Sequence, residues 1–128
     1  MIEVKFFDKK ERGIVSTKLI TKDTLIEAAP VGSFPAEQWS IINKTEVFKY
    51  CFVIPAEYEK KQNVGGYIAF GLSSLCNHSE TPNAYINWVK DEIGLWAHLI
   101  ASKDIQPGEE VLLLYTNIDQ YSLANKFI

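Results

Sequence analysis

A single arginine, Arg12, occurs in 128 residues, and Asp and Glu outnumber Lys and Arg by 16 to 13. Nucleic-acid affinity comes largely from Lys and Arg contacts to phosphate. With a net charge of −3 and no basic stripe, direct nucleic-acid binding is not expected. Cysteine is scarce too: Cys51 and Cys76 each sit in an apolar string. One disulfide is open to them, but such surroundings favour buried free thiols, which behave as small hydrophobes. With His78 and His98 they lack the spacing of a structural zinc site, so no metal is expected. No apolar run approaches the roughly 20 residues of a membrane span. Met1 to Lys5 show neither the basic segment nor the apolar core of a signal peptide, so a reducing, cytoplasmic setting is expected. There is no phosphate loop and no Ser-His-Asp signature. Cys76 lies two residues from His78, too close in sequence for an easy nucleophile–base geometry. Glu109 and Glu110 are adjacent and would point to opposite faces of a strand, a poor acid/base pair.

What is present is a 47% hydrophobic, 12% aromatic chain, enough for the core of one domain spanning 1–128. Val4 to Phe7 reads as a strand, Asp8 to Gly13 as a polar turn closed by glycine, and Ile14 to Ser16 as a second β segment. Thr24 to Ala28 follows a turn at Thr21 to Asp23. Pro35 is a good first helical residue, and the spacing of Trp39 and Ile42 predicts a short helix over Pro35 to Asn43. Val47 to Ile54, rich in β-branched and aromatic types, reads as a strand stopped by Pro55. Glu57 to Asn63 reads as a loop or frayed helix, and Gly65-Gly66 as a turn before the apolar run Tyr67 to Phe70. Tyr85 to Val89 and Leu95 to Ala101 flank a short glycine-containing loop, a hairpin signal. Gln106 to Glu109 is a turn, Val111 to Tyr115 a buried strand, and Asp119 to Phe127 a short terminal helix. Thr17 to Asp23 and Ser102 to Gly108 echo each other faintly. Trp39 and Trp88 are candidates for core or interface. The fold class is mostly β, built as several small sheets with one or two short helices.

Between the apolar run and the alternating strand lies Asn77-His78-Ser79-Glu80-Thr81-Pro82-Asn83. Polar groups crowded between buried elements need partners, because each one left unsatisfied costs about 1–3 kcal/mol. Singly these residues are plain turn formers, His78 a structural histidine and Tyr115 a core tyrosine. Their combination is more specific. The chain runs from Arg12-Gly13 through Tyr50 and Gly71 to Asn-His-Ser-x-x-Pro-Asn, then Gly108-Glu109-Glu110 and an apolar strand ending in Tyr115. Over residues 11 to 115 this resembles the SET-domain lysine methyltransferases, above all their compact single-domain bacterial and viral members without zinc-binding flanks.

The resemblance implies a β-clip of small curved sheets. Its C-terminal segment would thread beneath Asn-His-Ser as a pseudoknot, and 116–128 would close the site. It implies methyl transfer from S-adenosylmethionine to a lysine amine of a histone or other basic protein, with no metal. Tyr115 matches the catalytic tyrosine. Arg12 and Gly13 would line the cofactor's methionine part through backbone groups. Asn77 would use its amide there, and His78 would hold the adenine edge through its backbone. Tyr50 would wall the lysine channel, and Tyr121 would stack on adenine; Tyr121 and Phe127 are also candidates to close the channel. A homodimer is compatible with the resemblance, as is a nuclear or host-cell location. The first glycine of the family's Gly-x-Gly turn is Glu11 here, Glu80 replaces a frequent cysteine, and Thr116-Asn117 follow Tyr115. The Glu11 departure keeps a second reading open: a SET-like module that binds the cofactor or a protein tail without turnover.

Overall fold

A computed structural model describes residues 1–8, 10–60 and 63–118. Among these residues the elements run β1 (Ile2–Phe7), β2 (Lys10–Ser16), β3 (Leu25–Phe34), α1 (Trp39–Ile42), β4 (Cys51–Phe52), α2 (Pro55–Lys60), β5 (Gly66–Ala69), β6 (Asn77–His78), β7 (Ala84–Lys90), β8 (Leu95–Ala101) and β9 (Leu112–Leu113). The strands form three sheets: a β1–β2 hairpin, a five-stranded sheet in the order β4-β5-β3-β8-β7, and a two-stranded β6–β9 pair. The molecule is thus mostly β and built of several small sheets.

The expected polar turn from Asp8 to Gly13 is largely strand. β2 starts at Lys10 opposite Phe7, and Gly13 pairs with Lys5 in mid-hairpin instead of closing a turn. β3 runs well past the expected Ala28, through Pro30. That proline is tolerated because the strand changes partner there: Leu25–Pro30 pair with β8 and Val31–Phe34 with β5. Pro30, which has no N–H to donate, still accepts Phe70 N–H at 2.9 Å. The expected hairpin forms as β7–β8, with Asp91 Oδ1 accepting the N–H groups of Ile93 and Gly94 at 2.9 and 3.1 Å.

Two expectations fail around residue 50. Glu46–Tyr50 is a 3₁₀ helix, and only Cys51–Phe52 is strand. Phe48, 3% exposed, turns inward to meet the edge of Trp39 at 5.9 Å, while Val47 faces solvent. Packing against Trp39 outweighs β propensity, which is itself mostly a packing preference. Pro55 does not end a strand; it opens α2, where its missing N–H costs nothing. Pro35 sits one position earlier than expected, as the extended N-cap of a 3₁₀ turn (Ala36–Gln38) that leads into α1. Trp39 is fastened inside the chain: its Nε1 donates to Val64 O at 2.8 Å and its ring meets Phe34 at 4.9 Å.

The main core holds Ile14, Ile20, Cys76, Leu99, Ile105, Val111 and Leu113. The two echoing segments meet in it, since Ile20 and Ile105 exchange both backbone hydrogen bonds at 2.9 and 2.8 Å. The segment from Glu109 to Tyr115 is inserted between two others. On one side Ser16 N–H donates to Glu109 O at 3.0 Å and Val111 N–H to Ile14 O at 2.8 Å. On the other, β9 runs parallel to β6, and Ser79 N–H donates to Leu113 O at 2.8 Å. This is the crossing that places the site. The terminal residues 119–128, including the expected helix, lie outside the described residues.

Candidate active site where the C-terminal segment crosses Asn77–Asn83

The insertion of the Glu109–Tyr115 segment delivers Tyr115. Val111 and Leu113 are 0% and 3% exposed, so the two-residue period brings Tyr115 to the inner face, half-buried. Leu114 points away and is 54% exposed, so the expected uniformly buried strand is in fact alternating, with ladder pairing confined to Leu112–Leu113. Tyr115 is held at two points. Its backbone N–H donates to His78 Nδ1 at 2.9 Å, and its hydroxyl donates to the Cys76 carbonyl at 2.5 Å. Because Nδ1 accepts, the imidazole carries its proton on Nε2, which faces Glu80 Oε1 at 3.3 Å.

Beside Tyr115 lies a cavity of about 280 Å³, walled in part by Tyr50, Phe52, Tyr85, Trp88 and Leu113. Phe52 meets Trp88 edge to face at 5.7 Å, and Tyr67 supports Trp88 at 5.6 Å. The Tyr67 hydroxyl donates to Glu57 Oε2 at 2.6 Å; burial and this carboxylate push it up to about 12, so it remains a neutral donor. Tyr50, the expected substrate contact, thus shares a wall with Tyr115, although it ends a 3₁₀ helix and not a strand. Both cysteines are free and line the same cavity. Burial pushes Cys51 up to about 11 and Cys76 higher still, where Glu27 and Glu110 add repulsion. Neutral thiols are weak nucleophiles, so this wall is apolar lining and not a thiolate centre.

A polar cluster forms around Asn77 of β6. Asn77 Nδ2 donates to Glu110 Oε2 at 2.7 Å and, at the limit of hydrogen-bond length, to Arg12 O at 3.5 Å. Gly13 packs closely against Asn77 and Glu110. A Cβ there would stand 2.6 Å from Glu110 Oε2, 2.7 Å from Phe7 Cε2 and 2.8 Å from Asn77 Nδ2. The glycine is required for space and not for an unusual φ. The residues from Gly13 to Tyr115 thus converge from three distant stretches of sequence onto one crossing.

The SET domain family matches this chain over residues 11–116. The chain belongs to the SET-domain family. A relative in Schizosaccharomyces pombe, the histone-lysine N-methyltransferase specific for H3 lysine-37, is 30% identical over 89% of this chain and 72% of its own length. Among solved structures, a Plasmodium falciparum protein assigned as a histone methyltransferase superposes with a TM-score of 0.69 at 23% identity, covering 90% of this chain and 96% of that one. The Neurospora SET domain protein DIM-5, a histone lysine methyltransferase, gives 0.66 at 19% identity over 89% and 51%. At these identities the structures speak for the fold alone.

Within this SET domain, Arg12, Gly13 and Asn77 come together on one side of β6 and Tyr50 and Tyr115 on the other, with His78 linking them. The His78 side chain does more than its expected backbone part, since it fixes the Tyr115 main chain. Tyr121 and Phe127 lie outside the described residues. Glu110 is the contact that sequence reasoning missed. As one of two adjacent carboxylates it looked like a poor acid/base pair, and its place in the Gly-Glu-Glu pattern was the only available signal.

Proposed function

We propose that this chain transfers a methyl group from S-adenosylmethionine to a lysine side-chain amine of a protein substrate, a histone or another basic protein. Membership of the SET family and the fission-yeast relative support protein-lysine methyltransferase activity. The observation that carries the reading is Tyr115, which lines the aromatic cavity and is fixed by the Cys76 carbonyl and the His78 ring next to the Asn77–Glu110 cluster.

The donor set fits the cofactor's amino-acid group. Arg12 O and the Glu110 carboxylate are acceptors gathered around the Asn77 amide, a set that suits an ammonium-bearing end. In this reading Arg12, Gly13, Asn77 and the His78 backbone hold the cofactor, joined by Tyr121. When bound, S-adenosylmethionine supplies a sulfonium-activated methyl carbon that a neutral amine can take.

The protein's own task is to make that amine neutral and to aim it. A free lysine has a pKa of about 10.4, so deprotonation at pH 7 costs about 4–5 kcal/mol. The aromatic walls from Tyr50 to Trp88 disfavour the charged form by desolvation. The Tyr115 hydroxyl donates its proton to the Cys76 carbonyl, and its oxygen is of the acceptor type that suits an N–H of the entering amine. A fixed acceptor on one wall of the channel then orients the nitrogen, a positioning effect. No general base is needed beyond water.

Incubation with labelled S-adenosylmethionine and histone tests this. The wild type is expected to label lysine, and Tyr115→Phe is expected to lose at least a hundredfold in turnover while still binding cofactor. Cofactor-dependent stabilisation with no label transfer to any basic substrate would favour the non-catalytic module instead.

A further inference from the structure

We propose that Glu27 is a positioning residue for Tyr115. It seats the turn that ends in the Cys76 carbonyl, and that carbonyl holds the Tyr115 hydroxyl. The inference rests on the methyl-transfer reading above, in which Tyr115 stands beside the reacting amine.

The position of Glu27 in β3 is an unusual one for a carboxylate. The strand shifts register between Leu25 and Glu27, and Glu27 pairs with Leu99, which is 0% exposed. Ala29, two residues on and 1% exposed, shares its face. A carboxylate on a row that faces the core needs partners, and Glu27 finds them in main chain. Its Oε2 accepts Leu72 N–H at 2.9 Å, and its Oε1 accepts Ser73 N–H at 3.0 Å. These residues open the 3₁₀ turn Leu72–Leu75, whose first N–H groups have no acceptor within the turn itself. Hydrogen bonds to an ionised carboxylate are the stronger kind. Gly71 lets the carboxylate in: a Cβ there would stand 2.6 Å from Oε1 and 2.9 Å from the Ala29 Cβ.

The turn carries this hold to the site. Cys76 closes it, donating its N–H to Ser73 O at 3.2 Å, and the Cys76 carbonyl takes the Tyr115 hydroxyl at 2.5 Å. Ser73 therefore links the two ends, bonded to Glu27 through its N–H and to Cys76 through its carbonyl. The Ser73 hydroxyl, on a residue 1% exposed, has no hydrogen-bond partner among the described residues, so that side chain does not seat the turn. Ser74 ties only its middle, donating to Ala69 O at 2.5 Å. Downstream, Asn77 is fixed by its pairing with Leu112. The Cys76 carbonyl is thus set from two sides, and Glu27 anchors the upstream one. Glu27 does not line the cavity itself, so its effect reaches Tyr115 through the turn.

Turnover of labelled S-adenosylmethionine on histone is measured for wild type, Glu27→Ala, Glu27→Gln, Tyr115→Phe and the two double variants. S-adenosylhomocysteine affinity by calorimetry and melting temperatures are recorded beside it. Glu27→Ala is expected to lower kcat about thirtyfold while cofactor affinity stays within about threefold of wild type, the mark of a group that acts on the transition state. Glu27→Gln, which keeps one acceptor, should lower kcat about fivefold. On the Tyr115→Phe background, where no hydroxyl remains to be placed, either change should cost less than about twofold more. If Glu27→Ala does not fold, the Glu27→Gln comparison decides by the same criteria. Unchanged kcat in the folded Glu27 variants, an equal fall in kcat and cofactor affinity, or the same loss with and without the Tyr115 hydroxyl would overturn the proposal and leave the methyl-transfer reading intact. A folded wild type that labels no basic protein would overturn the methyl-transfer reading, and this inference with it.

Discussion

Gly13 shows how one missing side chain lets three segments approach closely. Three groups from separate stretches, the Phe7 ring, the Asn77 amide and the Glu110 carboxylate, all lie within 2.8 Å of where its Cβ would be. Gly13→Ala would push at least one of them aside, an overpacking that costs about 1–3 kcal/mol. The expected outcome is a protein that still folds, with a lower urea midpoint and at least tenfold weaker S-adenosylhomocysteine binding by calorimetry. Asn83 makes a comparable case in the core. It is 3% exposed, accepts Leu112 N–H at 2.8 Å and donates to Glu110 O at 2.8 Å. Asn83→Ala would leave two main-chain groups without partners, a loss of about 3 kcal/mol at 1–3 kcal/mol each. Chemical denaturation measures it, and an unchanged midpoint would mean that water replaces both bonds.

Among the elements, the β6–β9 pair is the smallest and the most consequential. Two residues pair on each side, too few to stand alone, so neighbouring contacts sustain the ladder. His78 and Asn83 supply those contacts from one segment, and Ile14 and Ser16 from β2. His78→Ala should therefore loosen the Tyr115 main chain without emptying the core. The expected signature is a larger fall in kcat than in cofactor affinity, read by comparing turnover with calorimetric Kd. Elements also explain the misread region. Val47 to Ile54 has the composition of a strand, yet Phe48 packs against Trp39, and the 3₁₀ turn that carries it ends at Tyr50 on the cavity wall.

At the scale of the whole molecule, alkaline pH probes the packing. Cys51, Cys76 and Tyr67 are all held above their ordinary ranges by burial, with Glu57 reinforcing Tyr67. Each raised group binds its proton more firmly in the folded state than in the unfolded one. Its contribution to stability is therefore fully present below the unfolded value, near 9 for cysteine and 10 for tyrosine, and is lost as pH rises towards about 11 and 12. Thermal melts should be flat between pH 7 and 8.5 and fall from pH 9 to 11. Cys51→Ala should make that fall shallower even though its starting stability is lower.

The order of the motifs, the β7–β8 hairpin and the mostly β character are all legible in the chain. They depend on local turn chemistry, alternation and spacing, which neighbours in sequence carry. Arg12, Gly13, Asn77, His78 and Tyr115 could be named together because a family pattern links them, although nothing local says that they meet. Tertiary structure decided the rest: that Gly13 lies within a strand, that β3 changes partner at Pro30, that Val47–Tyr50 coils, and that the Glu110 carboxylate reaches Asn77. Each outcome depends on a group supplied from far along the chain. A residue's pairing partner and its burial are properties of the crossing, and no window of sequence contains the crossing.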